Sequence, residues 1–576
     1  MAGGGTTHAA GRGWLLSGRL QSGWLLPGGL GALVVVLVLV PVAFTFVGAV
    51  LSGGLADPDA HLTLDKLRSV YATWPSFLAL LSTLAVSTVV ALLAVVAGAL
   101  LAWLLARTDL PWKRLMNGCV VAPLFLSPFV GAIAWLILAA PKAGLLNVLV
   151  TELTGWRGPF VDVATPAGIV VIMAVYFIPY AFLTLSAALR TMDPALEEAA
   201  YLNGSGIAAT VLKVTFPVVR PAFISTFFFI FVLAAGTFAI PAVLDRASQL
   251  RFLAVDVFQA SSTYPIDYGE SAAIGTVLFW VSLAGIACYR LASRAARRFV
   301  TVTARGYRVR TVRLRGWRWP AAGAVMLYAA VAIVLPYLAL LYAAFTRYTS
   351  SSVLKATFTT ANVAAVARSP EVVASLRNTL LVGLVSPTLC VLFGLLLAYA
   401  VRRMRVRGGA WLDYAAMFPV AVPGIVLGTG LFWTYVTTPV YGTIWVLVLA
   451  FVASYLPFAY RIGDTALLQL DGALEEASAL CGASRWRTLW RITARLIRPA
   501  LLSSWIMVFV FSVREISAAV LLTSSDNIVL SVLSWNYLDY GDVQKAAVVG
   551  LLQTLLLVAG VAAGHFVFRV RLAQAA

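Results

Sequence analysis

The chain has 576 residues, of which 61% are hydrophobic and 11% charged, against about 25% charged in a soluble globular protein. No aqueous core could take in so much apolar side chain while leaving so little polar surface, so a water-soluble globular fold is excluded and lipid must solvate much of the chain. A net charge of +19 on a soluble protein would suggest nucleic acid, but here the basic residues stand in short runs between apolar segments, which argues for membrane topology and against a nucleic-acid partner.

A membrane-crossing helix needs about 20 apolar residues. Twelve stretches qualify, at 28–50, 77–106, 114–139, 165–189, 220–244, 272–293, 321–345, 377–401, 411–436, 441–462, 497–522 and 543–570. The first is long enough to span and lacks a clear cleavage site, so it reads as a retained helix rather than a cleaved signal peptide. Two spans carry internal prolines, Pro123 and Pro128 in one and Pro419 and Pro423 in the other, and such helices are expected to break around a cavity. Cys119, Cys288, Cys390 and Cys481 are far apart and form no CxxC, so they read as packing residues rather than disulfide partners or metal ligands. His8, His61 and His565 are equally scattered, and no metal-ligand spacing is visible.

Orientation follows from lysine and arginine in the loops. Thirty of the 42 fall on one side of the alternating spans, which marks that side as cytoplasmic and places both termini inside. Ten arginines between Arg290 and Arg318 divide the chain near its middle. The expected organisation is therefore an N-terminal tail (1–27), a first six-span half (28–293), an arginine-rich cytoplasmic linker (294–320) and a second six-span half (321–576). The linker reads as a solvated connector, with anionic lipid headgroups as a further contact.

The halves share a segment at an offset of 278 residues. Asp193-Pro-Ala-Leu-Glu-Glu-Ala-Ala200 matches Asp471-Gly-Ala-Leu-Glu-Glu-Ala-Ser478 at six of eight positions, Gly204 matches Gly482, and Arg220-Pro-Ala222 matches Arg498-Pro-Ala500. Both copies fall in the cytoplasmic loop between the fourth and fifth spans of their half. Asp193 and Asp471 are suitable N-caps, and Glu197, Glu198, Glu475 and Glu476 follow near the positive end of a helix dipole. Gly204 and Gly482 can end the helix and turn the chain. The product is a short helix across the cytoplasmic face, tied to two spans, able to carry a push from a soluble partner into the membrane.

This segment resembles the "EAA" loop of bacterial ABC importer permeases: Glu-Ala-Ala, three residues, Gly, nine residues, then Ile-x-Leu-Pro. The first copy has Glu198-Ala199-Ala200, Gly204 and Val214-Thr-Phe-Pro217. The second has Glu476-Ala477-Ser478, Gly482 and Ile492-Thr-Ala-Arg495, departing at Ser478 and at Ala494-Arg495. The resemblance implies an all-α membrane fold of two six-helix repeats of the permease (MetI-like) type. It also implies that residues 193–207 and 471–485 are coupling helices that dock on a cytoplasmic ABC ATPase, a homodimer with one subunit per helix. Asp193, Glu197, Glu198, Ala199, Gly204, Asp471, Glu475, Glu476, Ala477 and Gly482 are the residues to which that role carries over.

Several stretches resemble the fused ferric-iron type, a group that includes thiamine and phosphonate permeases: Ala122 to Trp135, Pro141 to Asn147, Asn378 to Leu380, Tyr441 to Trp445 and Arg514 to Leu522. The resemblance implies iron(III) as cargo, with thiamine, phosphonate, polyamine and sugar as alternatives. It implies an extracytoplasmic substrate-binding protein that delivers the cargo, and a location in the bacterial inner membrane. The chain contains no Gly-Lys dipeptide and so no phosphate loop of the G-x-x-x-x-G-K-[ST] kind; ATP is expected to be used by the partner, with no cofactor and no enzymatic activity in this chain. A secondary transporter can also have twelve spans in two repeats, but it would carry coupling charges within its spans. Arg514 and Glu515 are charges inside the eleventh span, where charge is costly and usually functional. Their first-half equivalents are Gly236 and Thr237. Two roles are open to the pair: lining or gating a translocation path, or an ion pair to a neighbouring helix.

Overall fold

The computed structural model describes residues 28–53, 59–156, 158–245, 250–297, 311–348, 352–404 and 408–568. The N-terminal tail with Arg12 and Arg19, most of the arginine-rich linker, Arg405, Arg407, Arg569 and Arg571 lie outside the described residues.

Nine helices among the described residues are long and apolar enough to cross a membrane, and the number reaches twelve if each of three bent pairs counts as one span. In the first half these are α1 (Gly28–Ala49), α2 (Trp74–Arg107), the bent pair α3 (Lys113–Phe125) and α4 (Pro128–Ala139), α5 (Pro166–Thr191), α7 (Ile207–Ala235) and α9 (Tyr268–Arg294). The short α6 (Pro194–Leu202) lies between α5 and α7, and α8 (Leu253–Ser262) precedes α9. The second half repeats the order: α10 (Arg315–Phe345), α11 (Pro370–Arg402), the bent pair α12 (Gly409–Ala421) and α13 (Gly424–Tyr435), α14 (Ile444–Gln469), and the short α15 (Ala473–Leu480). The bent pair α16 (Arg485–Leu496) and α17 (Arg498–Arg514) follows, then α18 (Leu530–Asp539) and α19 (Val543–Gly564).

The two proline-bearing spans are broken as expected, by 97° between α3 and α4 and by 106° between α12 and α13. Each break has one cause. A proline inside a helix removes a donor and clashes with the preceding turn. The chain tightens into a 3₁₀ turn at 122–125 and at 418–421, leaves it through the extended residues Leu126 and Val422, and starts a new helix. Carbonyls at such a break have no partner in their own helix.

The fifth spans differ from expectation. The predicted start Arg220 lies inside a continuous helix, and the predicted start Ile497 lies at a bend between two helices. In the first half the basic stretch is already helical from Ile207, and Pro217 and Pro221 are accommodated after a π-helical turn at 211–215. That wider turn loosens the hydrogen-bond ladder just ahead of the prolines. The second half has the same π-turn at 489–493 but then bends by 77° at Ile497, so that Pro499 enters the first turn of a new helix, where a missing N–H costs nothing. The eleventh span also ends at Arg514 rather than continuing to 522, and the fifth ends at Ala235, each followed by a short separate helix.

Within each half α2 packs along α5 and α11 along α14. Small residues permit this, as membrane helices require. A Cβ on Gly98 would stand 2.5 Å from the Ala181 Cβ, and one on Gly394 would stand 2.7 Å from the backbone nitrogen of Tyr460. Between halves the packing is reciprocal: α1 lies against α13, and α10 against α4. Each first span thus embraces the broken span of the other half.

Candidate functional site

The duplicated loop is built alike in both halves. The Asp193 carboxylate accepts from the Ala195 N–H at 2.9 Å, and Asp471 from the Ala473 N–H at 3.0 Å, satisfying a donor that the helix start leaves free. At the other end Gly204 and Gly482 both take φ +78°. The Ser205 N–H reaches back to the Ala200 carbonyl and the Gly204 N–H to Tyr201; Ala483 and Gly482 repeat the pattern on Ser478 and Ala479. This is the paired closure that a left-handed residue after a helix allows.

The two glutamates of each copy have separate roles. Glu197 is buried, and its Oε1 accepts from the Thr215 hydroxyl at 2.7 Å; Glu475 accepts from Thr493 at 2.8 Å. The other carboxylate oxygen of each faces an arginine at the end of the half's second span: Arg107 Nε lies 3.4 Å from Glu197, and Arg403 Nε 3.4 Å from Glu475. The same guanidinium ties down the end of the fourth span, Arg107 on the carbonyls of Leu189 (2.8 Å) and Met192 (3.5 Å), and Arg403 on those of Leu467 (3.2 Å) and Leu470 (2.7 Å). The Nε hydrogens are not aligned on the carboxylates, so the contact is an ion pair rather than a hydrogen bond. Glu198 is half-buried, while Ala199, Glu476 and Ala477 are exposed. Burial raises the pKa of the Tyr201 phenol, and the nearby Glu197 carboxylate adds to the effect.

Each short helix also leaves apolar side chains in the open at matching positions. Leu202 is 86% exposed and Leu480 89%, and Leu196 and Leu474 are exposed as well. The same two leucine positions are thus exposed in both helices. The Ser478 departure is absorbed locally, since its hydroxyl bonds Thr488 at 2.8 Å.

In sequence Arg107 and Arg403 are only loop charges. Their offset is 296 residues, not 278, so a comparison at one offset does not align them. The linker end joins the first clamp: the Val312 N–H donates to the Arg107 carbonyl at 2.8 Å, and the Leu314 N–H to Asp109 Oδ1 at 2.8 Å.

Arg514 and Glu515 stand where the halves meet. Arg514 reaches out of its own half to the α3–α4 break, donating to the Leu124 carbonyl, to the Leu126 carbonyl at 3.2 Å and to the Tyr180 phenol at 3.0 Å. Its guanidinium also lies 4.7 Å from the Phe511 ring centroid. Glu515 accepts from the Tyr455 phenol and from the Ala518 N–H at 3.2 Å. The equivalent end of α7 is reciprocal: a Cβ on Gly236 would stand 3.0 Å from Pro423 in the other broken span. Arg514 thus satisfies carbonyls that the proline break exposes, whereas Gly236 meets its break by bare backbone contact.

The chain belongs to the family of binding-protein-dependent transport system inner membrane components, whose model matches residues 94–309 and 390–572. It is 30% identical over 365 residues to FbpB 1 of Haemophilus influenzae, a permease protein assigned to a ferric transport system, covering 62% of this chain and 57% of that one. It is 28% identical over 398 residues to the ferric transport system permease protein FbpB of Actinobacillus pleuropneumoniae, covering 68% and 57%. The matched region therefore spans little more than half the length of these curated relatives. A solved bacterial alginate ABC transporter, in complex with an alginate pentasaccharide-bound periplasmic protein, overlays with a TM-score of 0.38 at 16% identity, covering 50% of this chain and 99% of that one.

Proposed function

We propose that this chain is the membrane permease of an ATP-binding-cassette importer, that it forms the translocation path between its halves, and that it carries iron(III). The observation that carries this reading is the duplicated short helix, α6 and α15, clamped in both halves by the same arginine, glutamate and threonine and bearing the same exposed leucines. A loop that served only to connect two spans would not need to be held this way twice. The iron assignment rests on the ferric relatives.

On this reading a pair of ATPase subunits docks on α6 and α15 from the cytoplasm, and ATP is consumed there. An extracytoplasmic binding protein delivers the cargo, and both termini face the cytoplasm. Closure of the ATPase dimer draws the two short helices together. The clamps pass that movement to α2, α5, α11 and α14, because each arginine holds the ends of two spans at once. Arg514 is the latch of the path: its bonds cross from α17 to the α3–α4 break, so the halves cannot part there until it lets go. Glu515 and Tyr455 form the polar wall beside it.

The test is reconstitution in proteoliposomes with the ATPase and binding protein of the same system. ATP-dependent accumulation of labelled iron(III) is expected. Uptake of a thiamine, phosphonate, polyamine or sugar label instead would replace the cargo and keep the class. Uptake driven by an ion gradient without ATP would replace the class with a secondary transporter.

A further inference from the structure

The bend at Ile497 turns α16 away from the span it precedes. α16 meets α17 at 77°, and a span tilts only about 20° from the bilayer normal, so α16 runs along the membrane surface rather than through it. One side of it is held by the protein. Thr488, Leu489, Thr493 and Ile497 are buried, and the Thr488 and Thr493 hydroxyls bond Ser478 and Glu475 of α15 at 2.8 Å each. Arg485, Arg487, Arg491 and Arg495 are exposed. No acidic residue lies between Arg485 and Arg498, and among the described residues none of the four arginines forms a salt bridge.

The same exposed surface is aromatic. Trp486 and Trp490 stand one turn apart with ring centroids 5.5 Å from each other, and both are exposed, as is Leu496 at the bend. Tryptophan rings settle at the level of the lipid headgroups, and arginines beside them are drawn to an anionic leaflet. A helix that is basic, bears bare tryptophans and lies in the membrane plane has the make-up of an interfacial helix. An acidic protein surface could match the arginines, but it would leave the tryptophans and Leu496 uncovered at the point where the chain enters the bilayer. The first half has no such surface. At the offset of 278 it holds Ile207, Ala208, Ala209, Leu212, Lys213 and Pro217, one charge and no tryptophan, and α7 runs on from Ile207 without a bend.

We propose that α16 is a docking surface for anionic phospholipid headgroups of the leaflet it lies on. The four arginines hold the phosphates, and Trp486 and Trp490 sit among the headgroups. Because Thr488 and Thr493 tie α16 to α15, bound lipid fixes α15, and not α6, against the bilayer. The proposal takes from the importer reading only the identity of that leaflet, the cytoplasmic one.

The test uses the full chain with its own cysteines replaced and a bimane fluorophore attached through Leu496→Cys. It is reconstituted in bilayers in which either phosphatidylglycerol or phosphatidylcholine bears brominated acyl chains, and quenching compares the two lipids beside α16 at one mole fraction. A preference for phosphatidylglycerol of at least about fivefold is expected, the contribution of a single arginine at an anionic surface. It should vanish when Arg485→Gln, Arg487→Gln, Arg491→Gln and Arg495→Gln are combined, and persist when all four are changed to lysine. Trp486→Ala with Trp490→Ala should reduce quenching by both lipids alike, because the helix then sits less deeply. Absence of quenching by either lipid, or a preference that survives the glutamine changes, overturns the proposal. Equal quenching by both lipids, with the ATPase lost from the glutamine variant in phosphatidylcholine alone, assigns the arginines to an acidic protein surface and overturns it too. The readout needs neither ATPase nor cargo, so a failure of the importer reading would show separately, as absence of ATP-dependent uptake.

Discussion

Arg107 at the end of α2 faces Glu197 in α6 with Nε 3.4 Å from the carboxylate, and only 2% of its side chain is exposed; the second-half pair, Arg403 and Glu475, repeats the distance with the arginine 22% exposed. Burial sets the difference between them. Removing one member of a buried pair strands the other charge, at a cost of about 3 kcal/mol, while water can replace a partner at a more open site. Arg107→Ala is expected to lower the thermal midpoint in detergent clearly more than Arg403→Ala. Glu197→Gln keeps an acceptor for Thr215 but leaves Arg107 unpaired, so it should lower the yield of transport per ATP hydrolysed before it lowers ATPase binding. Equal midpoints for the two arginine variants would refute the burial argument.

Gly204 and Gly482 take φ +78°, and the space that a Cβ would fill at either position has no atom within 4 Å. Replacing either by alanine therefore costs only backbone strain, about 1 kcal/mol each. The strain falls on the turn that closes α6 or α15. Each single change is expected to weaken co-purification of the ATPase, and the double change to weaken it further. The two turns share no partner, so their effects should add. Full ATPase recovery with the double variant would show that α6 and α15 are not the docking elements.

How much of this was legible in the sequence depended on which pattern carried it. Apolar runs gave the nine long apolar helices and the three bent pairs, and the proline pairs gave two of the breaks, because both signals are local. The caps Asp193 and Asp471 and the turn glycines were legible for the same reason. The clamp was not: Arg107 and Glu197 are 90 positions apart, and a cytoplasmic arginine looks the same in sequence whether it is solvated or buried. The 77° bend at Ile497 was hidden because Pro221 and Pro499 look equivalent; both halves have the π-turn, and the first half differs by its extra Pro217. Arg514 stood out as an intramembrane charge, but its partners are mainly backbone carbonyls of the other half, which no side-chain pattern reveals.

That partnership makes a prediction about Arg514. Lysine at this position keeps the charge but lacks the planar fork that serves two carbonyls and a phenol together. Arg514→Lys should therefore lose part of the stability and Arg514→Met more, about 2 kcal/mol, since the carbonyls of Leu124 and Leu126 are left without a donor. If Arg514 is also a latch, Arg514→Met should raise ATP hydrolysis in the absence of binding protein, because the halves part more easily. A loss of stability with no change in that unstimulated rate would leave Arg514 as a brace for the α3–α4 break alone.

Asp256 in α8, outside the membrane-spanning helices, has its carboxyl pushed up from 3.8 to about 6. Burial is the main cause; Arg251 opposes it, and Asp245 and Glu270 add to it. Because the folded value lies above the unfolded one, the folded state holds this proton more tightly. Its contribution to stability is fully present below the unfolded value and is lost as pH rises through the folded value. Asn in its place carries no charge to bury at any pH. Asp256→Asn is therefore expected to raise the thermal midpoint relative to the parent at about pH 7.5, with the gap closing as pH falls through about 6 and vanishing near 4. The difference between the two melting curves is the quantity to follow, since every other titrating group cancels from it. A gap constant across that range would mean that Asp256 stays charged throughout, held by Arg251 against its burial.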